Sequence, residues 1–375
     1  MSGTGRGGPL LALYKAPVNR LNGNDLRLWH LLDGGEADVL CFAYPGSEPV
    51  RGEITDPLPW RSMEIEVIAP DGWAAAVNRA VDRMRPSHLV VHVHSRLDHL
   101  AWLRGIVHPF NAHFPDCLSL MYRRRYAAMP KLRRPGAALA AGIRHRQWLA
   151  AEAEVAGRAA RCILTGAADQ DAFAGGVSAA VAVGNGTDWT LAPPVYQVRD
   201  NARVIAFHGN IAWRPNIAGI ELVCRHVLPL VREKMPGAEF HIAGGPLTPD
   251  AYRLARLPGV VFRGYVEDLR GFLAGCDVYA APMAEGSGVK NKLLEAMAAG
   301  MPVVINQLGA EALDAQCRSL IGIGDDAASM ARLILDLLAS PERRTAASAA
   351  VCSHARAHYG WPAFARQFRD TLAPI

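Results

Sequence analysis

The amino-acid sequence predicts an α/β fold made of two domains, each built on a parallel β-sheet. The chain has 375 residues, which suits two domains of about 100–200 residues each. Half of the residues are hydrophobic, enough for two sizeable cores. In the second half, short apolar segments alternate with helical patterns and are followed by glycine-rich turns. This alternation is typical of βα units and of parallel sheets that are buried on both faces.

The elements of the second half follow one another closely. Asn216 is expected to cap the first helix, which ends before Pro236. Because ligands bind at the carboxyl ends of parallel strands, the glycines that follow the strands are expected to line one crevice. The expected strands are 204–209, 239–243, 260–262, 277–281 and 302–305, and the expected helices are 217–234, 249–256, 267–274 and 289–299. The glycines in question are Gly209, Gly244, Gly245, Gly264, Gly286 and Gly288.

The first half is less regular, but the same alternation can be followed. Segment 192–201, which contains Pro193 and Pro194, is typical of an interdomain linker. The expected strands are 11–14, 37–42, 89–94 and 161–164, and the expected helices are 25–32, 73–84 and 150–160.

The composition argues against several classes of protein. The net charge of +5 is too small to indicate a nucleic-acid partner. The seven cysteines are dispersed with no C-x-x-C pair, as in a reduced cytosolic protein. The apolar run Pro9–Tyr14 is too short for a signal peptide, and no run reaches the ~20 apolar residues that span a bilayer. We therefore expect a cytoplasmic protein without a cofactor, able at most to rest on the inner face of the cell membrane.

The most informative segment is 282–305. Gly286 and Gly288 allow the backbone to approach a ligand closely. The helix that follows is expected to end at Gly300, with Pro302 just beyond. A glycine-rich loop that leads into a helix is a common way to present backbone N–H groups to a bound group.

Three charged residues lie near the start of this helix. Lys290 and Lys292 add positive charge where the helix N-terminus already favours an anion. Glu295 falls near the same face as Lys292 and can accept hydrogen bonds from hydroxyl groups beside that anion. A phosphate beside a polyol describes a sugar nucleotide. The alternative is an ordinary glycine-capped helix whose lysines are solvated.

The run from Gly288 to Val304, G-x-x-N-K-L-L-E-A-M-A-A-G-x-P-V-V, resembles the donor-site motif of GT-B glycosyltransferases. It is most similar to the motif of the retaining glycosyltransferase family 4, or glycosyl transferases group 1. Asn185-Gly-Thr-Asp188 and Tyr359-Gly-Trp361 extend the resemblance in outline to the whole chain. The resemblance implies a GT-B fold, with two Rossmann-like parallel-sheet domains facing each other across a cleft. The implied organisation is an acceptor-binding domain at 1–191, the linker at 192–201, a nucleotide-sugar-binding domain at 202–355 and a C-terminal helix at 356–375 that crosses back to the first domain.

The resemblance also implies an activity. A sugar moves from a nucleotide-diphosphate sugar, with a UDP-sugar as the expected donor, to an acceptor hydroxyl, with retention and without a metal. Such hexosyltransferases act in glycan, glycolipid or natural-product biosynthesis. They are thought to use the leaving phosphate as the base, so no side-chain nucleophile is required.

The site residues fall into three groups. The expected catalytic residues are Lys290, Lys292 and His94. The expected donor-binding residues are Gly23, Gly209, Asn210, Arg214, Gly264, Tyr265, Val266, Leu269, Glu285, Gly286, Ser287, Gly288, Val289, Asn291, Leu294 and Glu295. The expected acceptor-binding residues are His94, Ser95, Arg96 and Tyr122.

The chain departs from the family pattern near the donor. Asn210 and Pro215 stand where the family has basic residues, and Arg214 is the candidate substitute. Ser287 stands where the family often has a second glutamate, and Glu285 lies two residues earlier. These differences leave two other classes open. One is a catalytically silent or regulatory partner that binds sugar nucleotides, and the other is a sugar-nucleotide epimerase or hydrolase on a similar fold.

Two motifs resemble metal sites. His92 and His94 alternate on one strand and face the same side, but no further ligand follows at zinc-like spacing. Asp169-Gln-Asp171 is formally a D-x-D motif, yet it opens a predicted helix, where acids serve as caps. We expect no metal at either motif. His94, at the strand end, is a candidate contact for the sugar or the acceptor, the alternative being a core histidine.

Residues 121–146 carry eight basic side chains and no acidic one, interleaved with tyrosine, methionine and apolar residues. Three interpretations are open. The segment can contact anionic lipid at the membrane surface. It can hold an acidic or phosphorylated acceptor, or it can be the solvated face of a helix.

Overall fold

The chain folds into two compact units in a computed structural model. The first unit comprises Met1–Asn185 and Trp361–Ile375, and the second comprises Gly186–Gly360. The segment predicted as a linker packs within the second unit, where the N–H groups of Val195 and Tyr196 donate to the carbonyl of Ala299. The structure describes residues 10–13, 27, 30–31, 38–43, 62–67, 72–93, 97, 100, 103–128, 135–176 and 179–374.

Two parallel sheets, one in each unit, organise the described part of the chain. The first has the strand order β3-β2-β1-β4-β5-β6-β7 and the second has the order β10-β9-β8-β11-β12-β13. The strands are β1 (Leu10–Leu13), β2 (Asp38–Ala43), β3 (Ser62–Val67), β4 (Leu89–His92), β5 (Asn111–His113), β6 (Arg161–Leu164), β7 (Ala180–Ala182), β8 (Val204–His208), β9 (Glu239–Ala243), β10 (Val260–Gly264), β11 (Val278–Ala280), β12 (Val303–Ile305) and β13 (Gly322–Ile323). In both sheets the order reverses beside the first strand, which is the doubly wound pattern.

Helices connect these strands. They are α1 (Trp73–Met84), α2 (Leu118–Ala128), α3 (Pro135–Ala156), α4 (Ala167–Ala172), α5 (Arg214–Leu222), α6 (Leu228–Lys234), α7 (Pro249–Leu254), α8 (Leu269–Ala274), α9 (Asn291–Ala298), α10 (Gln307–Ala310), α11 (Ala315–Ser319), α12 (Ala327–Ala339), α13 (Pro341–His358) and α14 (Trp361–Thr371). The predicted α/β fold with two parallel sheets is confirmed.

The predicted elements of the first half are incomplete. β3, β5 and β7 are additional strands, and β5 and β7 have three residues each, too few for a periodic pattern. The helix predicted at 150–160 is the end of the 22-residue α3. Its start is rich in alanine, whose weak hydrophobicity gives no clear apolar stripe. The basic segment 121–146 therefore lies on two helices, α2 and α3.

The first helix of the second unit begins earlier than predicted. Trp213 is its N-cap and Pro215 lies in its first turn, where the missing N–H of proline costs nothing. Asn216 is therefore inside the helix, and the prediction that it caps the helix is wrong. Between α5 and α6 the chain forms a π-helical turn at Val223–Val227, just before Pro229. Proline cannot donate to the carbonyl four residues earlier, and a π turn accommodates that loss.

Burial fixes the position of the strands and the helix around the predicted site. Every residue of β8, β11 and β12 is buried. The inner face of α9 is also buried, with Leu293, Leu294 and Met297 at most 1% exposed. Strands buried on both faces are what a parallel sheet covered by helices requires. The residues that follow these strands are thus held by a rigid core.

Candidate functional site

The loops after β8 and β11 meet where the strand order of the second sheet reverses. β8 pairs with β9 on one side and with β11 on the other, so these neighbours diverge toward opposite edges of the sheet. A crevice opens at such a point, beyond the carboxyl ends of the strands. Gly209 follows β8 directly, and loop 282–290 connects β11 to α9.

Glycine backbones let the loops after β8, β9 and β10 pack against one another. A Cβ atom on Gly244 would lie 1.9 Å from the carbonyl oxygen of Gly209, a distance no side chain tolerates. Both residues have positive φ angles, 132° and 143°. The N–H of Gly244 also donates to the carbonyl of Gly264 at 2.6 Å. Three of the predicted glycines, Gly209, Gly244 and Gly264, therefore form one continuous backbone surface.

Lys292 lies in the first turn of α9 and reaches back to the loop after β8. Its Nζ atom donates to Oδ1 of Asn216 and lies 4.6 Å from the ring centroid of Phe207. Burial, and next the charge of Lys290, lower the pKa of Lys292 from 10.5 to about 7, although Glu295 opposes the shift. The amine is thus held beside the glycine surface in surroundings that disfavour its charged form.

Asn216, predicted from the sequence to cap a helix, instead makes two hydrogen bonds beside Lys292. Its amide nitrogen donates to the carbonyl of Asn210 at 2.7 Å, and its amide oxygen accepts from Lys292. The side chain is buried, so both bonds are shielded from water. Asn216 therefore ties the loop after β8 to the start of α9. Its position one residue after Pro215, inside a helix start, is the sequence feature that could have revealed this role.

Loop 282–290 is fastened at both ends. Asn306, which follows β12, accepts from the N–H of Met283 at 2.9 Å and donates to its carbonyl at 2.7 Å. At the other end, Nζ of Lys290 donates to the carbonyl of Ser287 and lies 5.9 Å from the ring centroid of Trp213. These contacts fix the two ends of the loop.

Arg214 and Glu285, the charged residues nearest to the positions where the chain departs from the family pattern, form an ion pair. Nε of Arg214 lies 3.0 Å from Oε1 of Glu285. The side chain of Glu285 is 7% exposed and that of Arg214 is 57% exposed. Because the carboxylate balances the guanidinium charge, Arg214 is a weaker anion ligand than an unpaired arginine at the same place.

Glu295 has a partner that the sequence analysis did not single out. Nε2 of His208, the last residue of β8, lies 2.8 Å from Oε2 of Glu295. His208 is 4% exposed, whereas the Glu295 side chain is 20% exposed. A histidine directly before the glycine that ends a strand was the available sequence signal.

The other predicted donor residues differ in exposure. Tyr265 is 70% exposed beside Gly264, while Val266 and Leu269 are half-buried. Ser287 is buried in loop 282–290, with Gly286 also buried and Gly288, Val289 and Asn291 half-buried. Leu294 is completely buried, so its side chain belongs to the core under the site. Asn210 uses its Oδ1 atom to accept from the N–H of Ala212 at 3.0 Å.

The predicted acceptor residues can be followed only in part. His94, Ser95 and Arg96 lie outside the described residues, as does Gly23 of the predicted donor-binding set. Tyr122 is half-buried on α2, with the guanidinium carbon of Arg125 5.5 Å from its ring centroid.

His92 belongs to a buried hydrogen-bond chain in the first unit. Its Nδ1 lies 2.8 Å from Nδ1 of His113, and Nε2 of His113 accepts from Nε of Arg27 at 2.8 Å. Burial and the charge of Arg27 hold the pKa of His113 well below its ordinary range. Both ring nitrogens of His113 are thus occupied, and the chain connects β4 and β5 to a helical residue near the N-terminus.

The D-x-D motif does not bring two carboxylates together. Asp169 is buried and accepts from the hydroxyl of Thr165 at 3.2 Å. Asp171, two positions further along α4, is exposed. Side chains two positions apart on a helix point in different directions, so Asp169 and Asp171 are not arranged to share an ion.

Elsewhere in the second unit, Asp314, Cys317 and His354 place potential metal-ligand atoms within 4.8 Å of one another. Their proximity has a simpler cause. Oδ2 of Asp314 accepts from Nε2 of His354 at 2.8 Å and from the hydroxyl of Tyr359 at 2.6 Å. Its other oxygen caps α11 through the N–H of Cys317. The cluster fastens α11 to α13.

In the part of the chain that the structure describes, no helix is both long enough and apolar enough to cross a membrane.

Comparison with known proteins places this site in a family context. Residues 202–340 match the sequence model of the family described as Glycosyl transferases group 1. A Corynebacterium glutamicum protein named GDP-mannose-dependent monoacylated alpha-(1-6)-phosphatidylinositol monomannoside mannosyltransferase is 30% identical over 159 residues. The alignment covers 39% of this chain and 41% of that protein, so less than half of the relative's length is spanned.

Solved structures share the fold over nearly the whole chain. Anabaena HepE, solved in complex with UDP and glucose, superposes with a TM-score of 0.67 at 15% identity, covering 96% of this chain and 98% of that one. Sucrose-phosphate synthase from Thermosynechococcus elongatus gives a TM-score of 0.68 at 15% identity, covering 97% and 98%. At this level of identity the likeness establishes the fold.

Proposed function

We propose that this chain, a GT-B-fold member of the glycosyl transferases group 1 family through residues 202–340, is a glycosyltransferase that uses a nucleotide-diphosphate sugar. The observation that carries the proposal is the contact set around α9. Lys292 and Glu295 stand one helical turn apart. Lys292 is tied through Asn216 to the loop after β8, and Glu295 is tied to His208 at the end of β8. A cation and a carboxylate at the switch point of a parallel sheet match the phosphate and the hydroxyls of a sugar nucleotide.

The residues divide the chemistry between them. As the sugar leaves, negative charge builds on the β-phosphate, and Lys292, Lys290 and the N–H groups at the start of α9 lower the energy of that charge. Glu295 accepts hydrogen bonds from ribose hydroxyls. Because two lysines and a helix terminus supply the positive charge, we propose that no metal is needed. We further propose retention of configuration, which NMR of the product anomer tests.

The donor and the acceptor are proposed by class. UDP-sugars are the first candidates, because HepE was solved with UDP and with UDP-glucose. The name of the Corynebacterium relative refers to GDP-mannose, so GDP-sugars are the second candidates. The same name refers to a phosphatidylinositol monomannoside, which favours a lipid-linked hydroxyl acceptor held by the first domain.

We propose peripheral membrane contact through 121–146 at the inner face of the cell membrane, in a cytoplasmic protein. The apolar side chains of Leu139 and Ile143 on α3 are 65% and 48% exposed, and Tyr126 of α2 packs against Gly142 between them. Exposed arginines flank these residues. They are Arg123, Arg144 and Arg146. A surface that is both apolar and basic fits anionic lipid better than it fits water or a soluble acceptor alone.

Donor hydrolysis tests the proposed activity. The purified protein is incubated with UDP-, GDP- and dTDP-sugars, with and without EDTA, and sugar release is measured. We expect slow, EDTA-insensitive hydrolysis of one donor, reduced at least about 100-fold in Lys292→Ala and Glu295→Ala, since each removes a charged contact.

Matched controls use exposed residues of the same unit. Lys234→Ala and Glu233→Ala remove side chains of the same two types from the end of α6, and both variants are expected to hydrolyse the donor like wild type. Tight binding of UDP or GDP without turnover, even with candidate acceptors, would instead support a catalytically silent partner. No binding of any donor or free nucleotide would contradict the proposed function.

A further inference from the structure

One carboxylate oxygen of Glu295 accepts a hydrogen bond from another described residue, and the other does not. Oε2 accepts from Nε2 of His208 at 2.8 Å. Among the described residues, no hydrogen bond reaches Oε1, and the side chain is 20% exposed. The carboxylate therefore presents one free acceptor outward, in a direction set by the partner of its other oxygen.

The protonation of His208 can be assigned from its surroundings. Its Nδ1 atom is buried and has no hydrogen-bond partner among the described residues. A proton on Nδ1 would leave a buried donor unsatisfied, which costs about 1–3 kcal/mol. We therefore place a proton on Nε2, which donates to Glu295.

Aromatic neighbours hold the imidazole in place. The ring of Trp189 is stacked on His208 with centroids 6.4 Å apart and planes inclined by 10°. The ring of Tyr279 lies 5.4 Å away, inclined by 55°. The guanidinium carbon of Arg270 lies 5.4 Å from the Trp189 ring centroid, a cation–π contact that helps to hold the indole beside His208. Because two aromatic rings lie beside it and Nε2 is bonded to Glu295, the imidazole of His208 has little freedom to rotate.

We infer that His208 is a positioning residue that aims Oε1 of Glu295 at a ribose hydroxyl of the nucleoside diphosphate, so that the site distinguishes ribonucleotides from deoxyribonucleotides. The inference rests on the proposed function. Without the Nε2–H donor, the carboxylate can rotate, and its free oxygen no longer has a fixed direction. A site whose acceptor is fixed favours the ligand that supplies the matching hydroxyl.

The test compares ribo- and deoxyribonucleotides by calorimetry. The probes are whichever of UDP and GDP the wild type binds more tightly, and its 2′-deoxy and 3′-deoxy analogues. We expect wild type to prefer the ribonucleotide by about tenfold or more over one analogue, the value of a hydrogen bond to a charged group. His208→Leu, which keeps bulk but has no donor, should lose most of this preference while binding the deoxy analogue within about twofold of wild type.

Conservative and control variants separate positioning from packing. His208→Gln retains an N–H donor and should restore most of the preference, and Glu295→Ala should abolish it. His241→Ala breaks a second histidine–glutamate contact of the same sheet, with Glu239 at 2.7 Å, and should leave the preference unchanged. His208→Asn, whose donor is too short to reach Glu295, gives the same comparison if the Leu variant does not fold.

Two results would overturn the inference. The first is a preference that disappears in Glu295→Ala but is intact in His208→Leu or His208→Asn, which would make the histidine a packing residue. The second is a wild type that binds ribo- and deoxyribonucleotides equally. If wild type binds no nucleoside diphosphate at all, the proposed function itself fails together with the inference.

Discussion

Lys292 combines a positive charge with a confined environment. Burial and the neighbouring charge of Lys290 lower its pKa to about 7. A lysine whose pKa is lowered by folding binds fewer protons in the folded chain between about 7 and 10.5, so its contribution to stability increases as the pH rises through that window. Holding a charged Lys292 at lower pH therefore costs stability, and the anion that we propose to bind there would offset this cost.

This cost predicts how nucleotide binding depends on pH. Binding of a diphosphate favours the charged amine, so affinity for UDP or GDP should fall as the pH rises above about 7, by up to about tenfold per pH unit. Lys292→Arg should bind with a flat profile, because guanidinium stays charged. Calorimetry in two buffers of different ionisation heat measures the proton uptake. Identical pH profiles for wild type and Lys292→Arg, with Lys234→Arg as control, would contradict this account.

Helix α5 touches loop 282–290 directly through its backbone. A Cβ atom on Gly219 would lie 2.1 Å from the carbonyl oxygen of Pro282, where loop 282–290 begins. The absence of a side chain at this position therefore sets the distance between the helix and the loop. Asn306 holds the neighbouring Met283 by two further bonds. A side chain at position 219 would push helix α5 and loop 282–290 apart, and the loop cannot shift to make room because Asn306 holds Met283.

Gly219→Ala should consequently destabilise the second unit, although alanine is the better helix former. We expect a loss of about 1–3 kcal/mol, the usual cost of overpacking, and weaker nucleotide binding. Gly136→Ala on α3 is the matched control, since no atom lies within 4 Å of its Cβ position, and it should be neutral or stabilising by up to about 1 kcal/mol. Urea unfolding measures both. Equal stability of the two variants would show that the contact relaxes freely.

The charge of the whole molecule is small, but its distribution is uneven. The net charge is +5, and eight basic side chains fall within residues 121–146. The exposed apolar side chains of Leu139 and Ile143 lie in the same region. Electrostatic attraction alone would be screened by salt, whereas apolar side chains inserted at the bilayer surface are not.

Vesicle sedimentation tests this surface. Wild type should bind vesicles that contain phosphatidylglycerol and much less those of phosphatidylcholine alone. The double variant Leu139→Ser/Ile143→Ser should lower partitioning by at least about tenfold, because two apolar side chains are lost from the contact. Val107→Ser/Tyr252→Ser, which replaces side chains that are 77% and 60% exposed elsewhere, is the control. Equal binding by both double variants would exclude this surface.

The last helix shows how chain order and fold differ. α14 follows the second unit in sequence but belongs to the first. Phe368 is completely buried there, and Asn111 of β5 exchanges two hydrogen bonds of 2.9 Å with the backbone of Ala373. Amphipathic spacing indicates that α14 needs a partner surface. Which surface it covers depends on a contact 262 residues away in sequence, which periodicity cannot reveal.

The sequence by itself determined the elements whose causes are local. Helix α1 and strands β6 and β9 begin and end where predicted, because apolar periodicity and flanking turn residues fix them. The helix after Gly286 and Gly288 was also predicted from local signals, although it spans Asn291–Ala298 instead of the predicted 289–299.

Only the tertiary structure decided which side chains meet across elements. Asn216 bonds to Lys292, His208 bonds to Glu295, and Glu285 pairs with Arg214, over separations of 71 to 87 positions in the sequence. Such pairs depend on strand order and on the direction in which each helix leaves the sheet. A buried polar group must find a partner wherever the fold places one, and no local pattern in the chain states where that is.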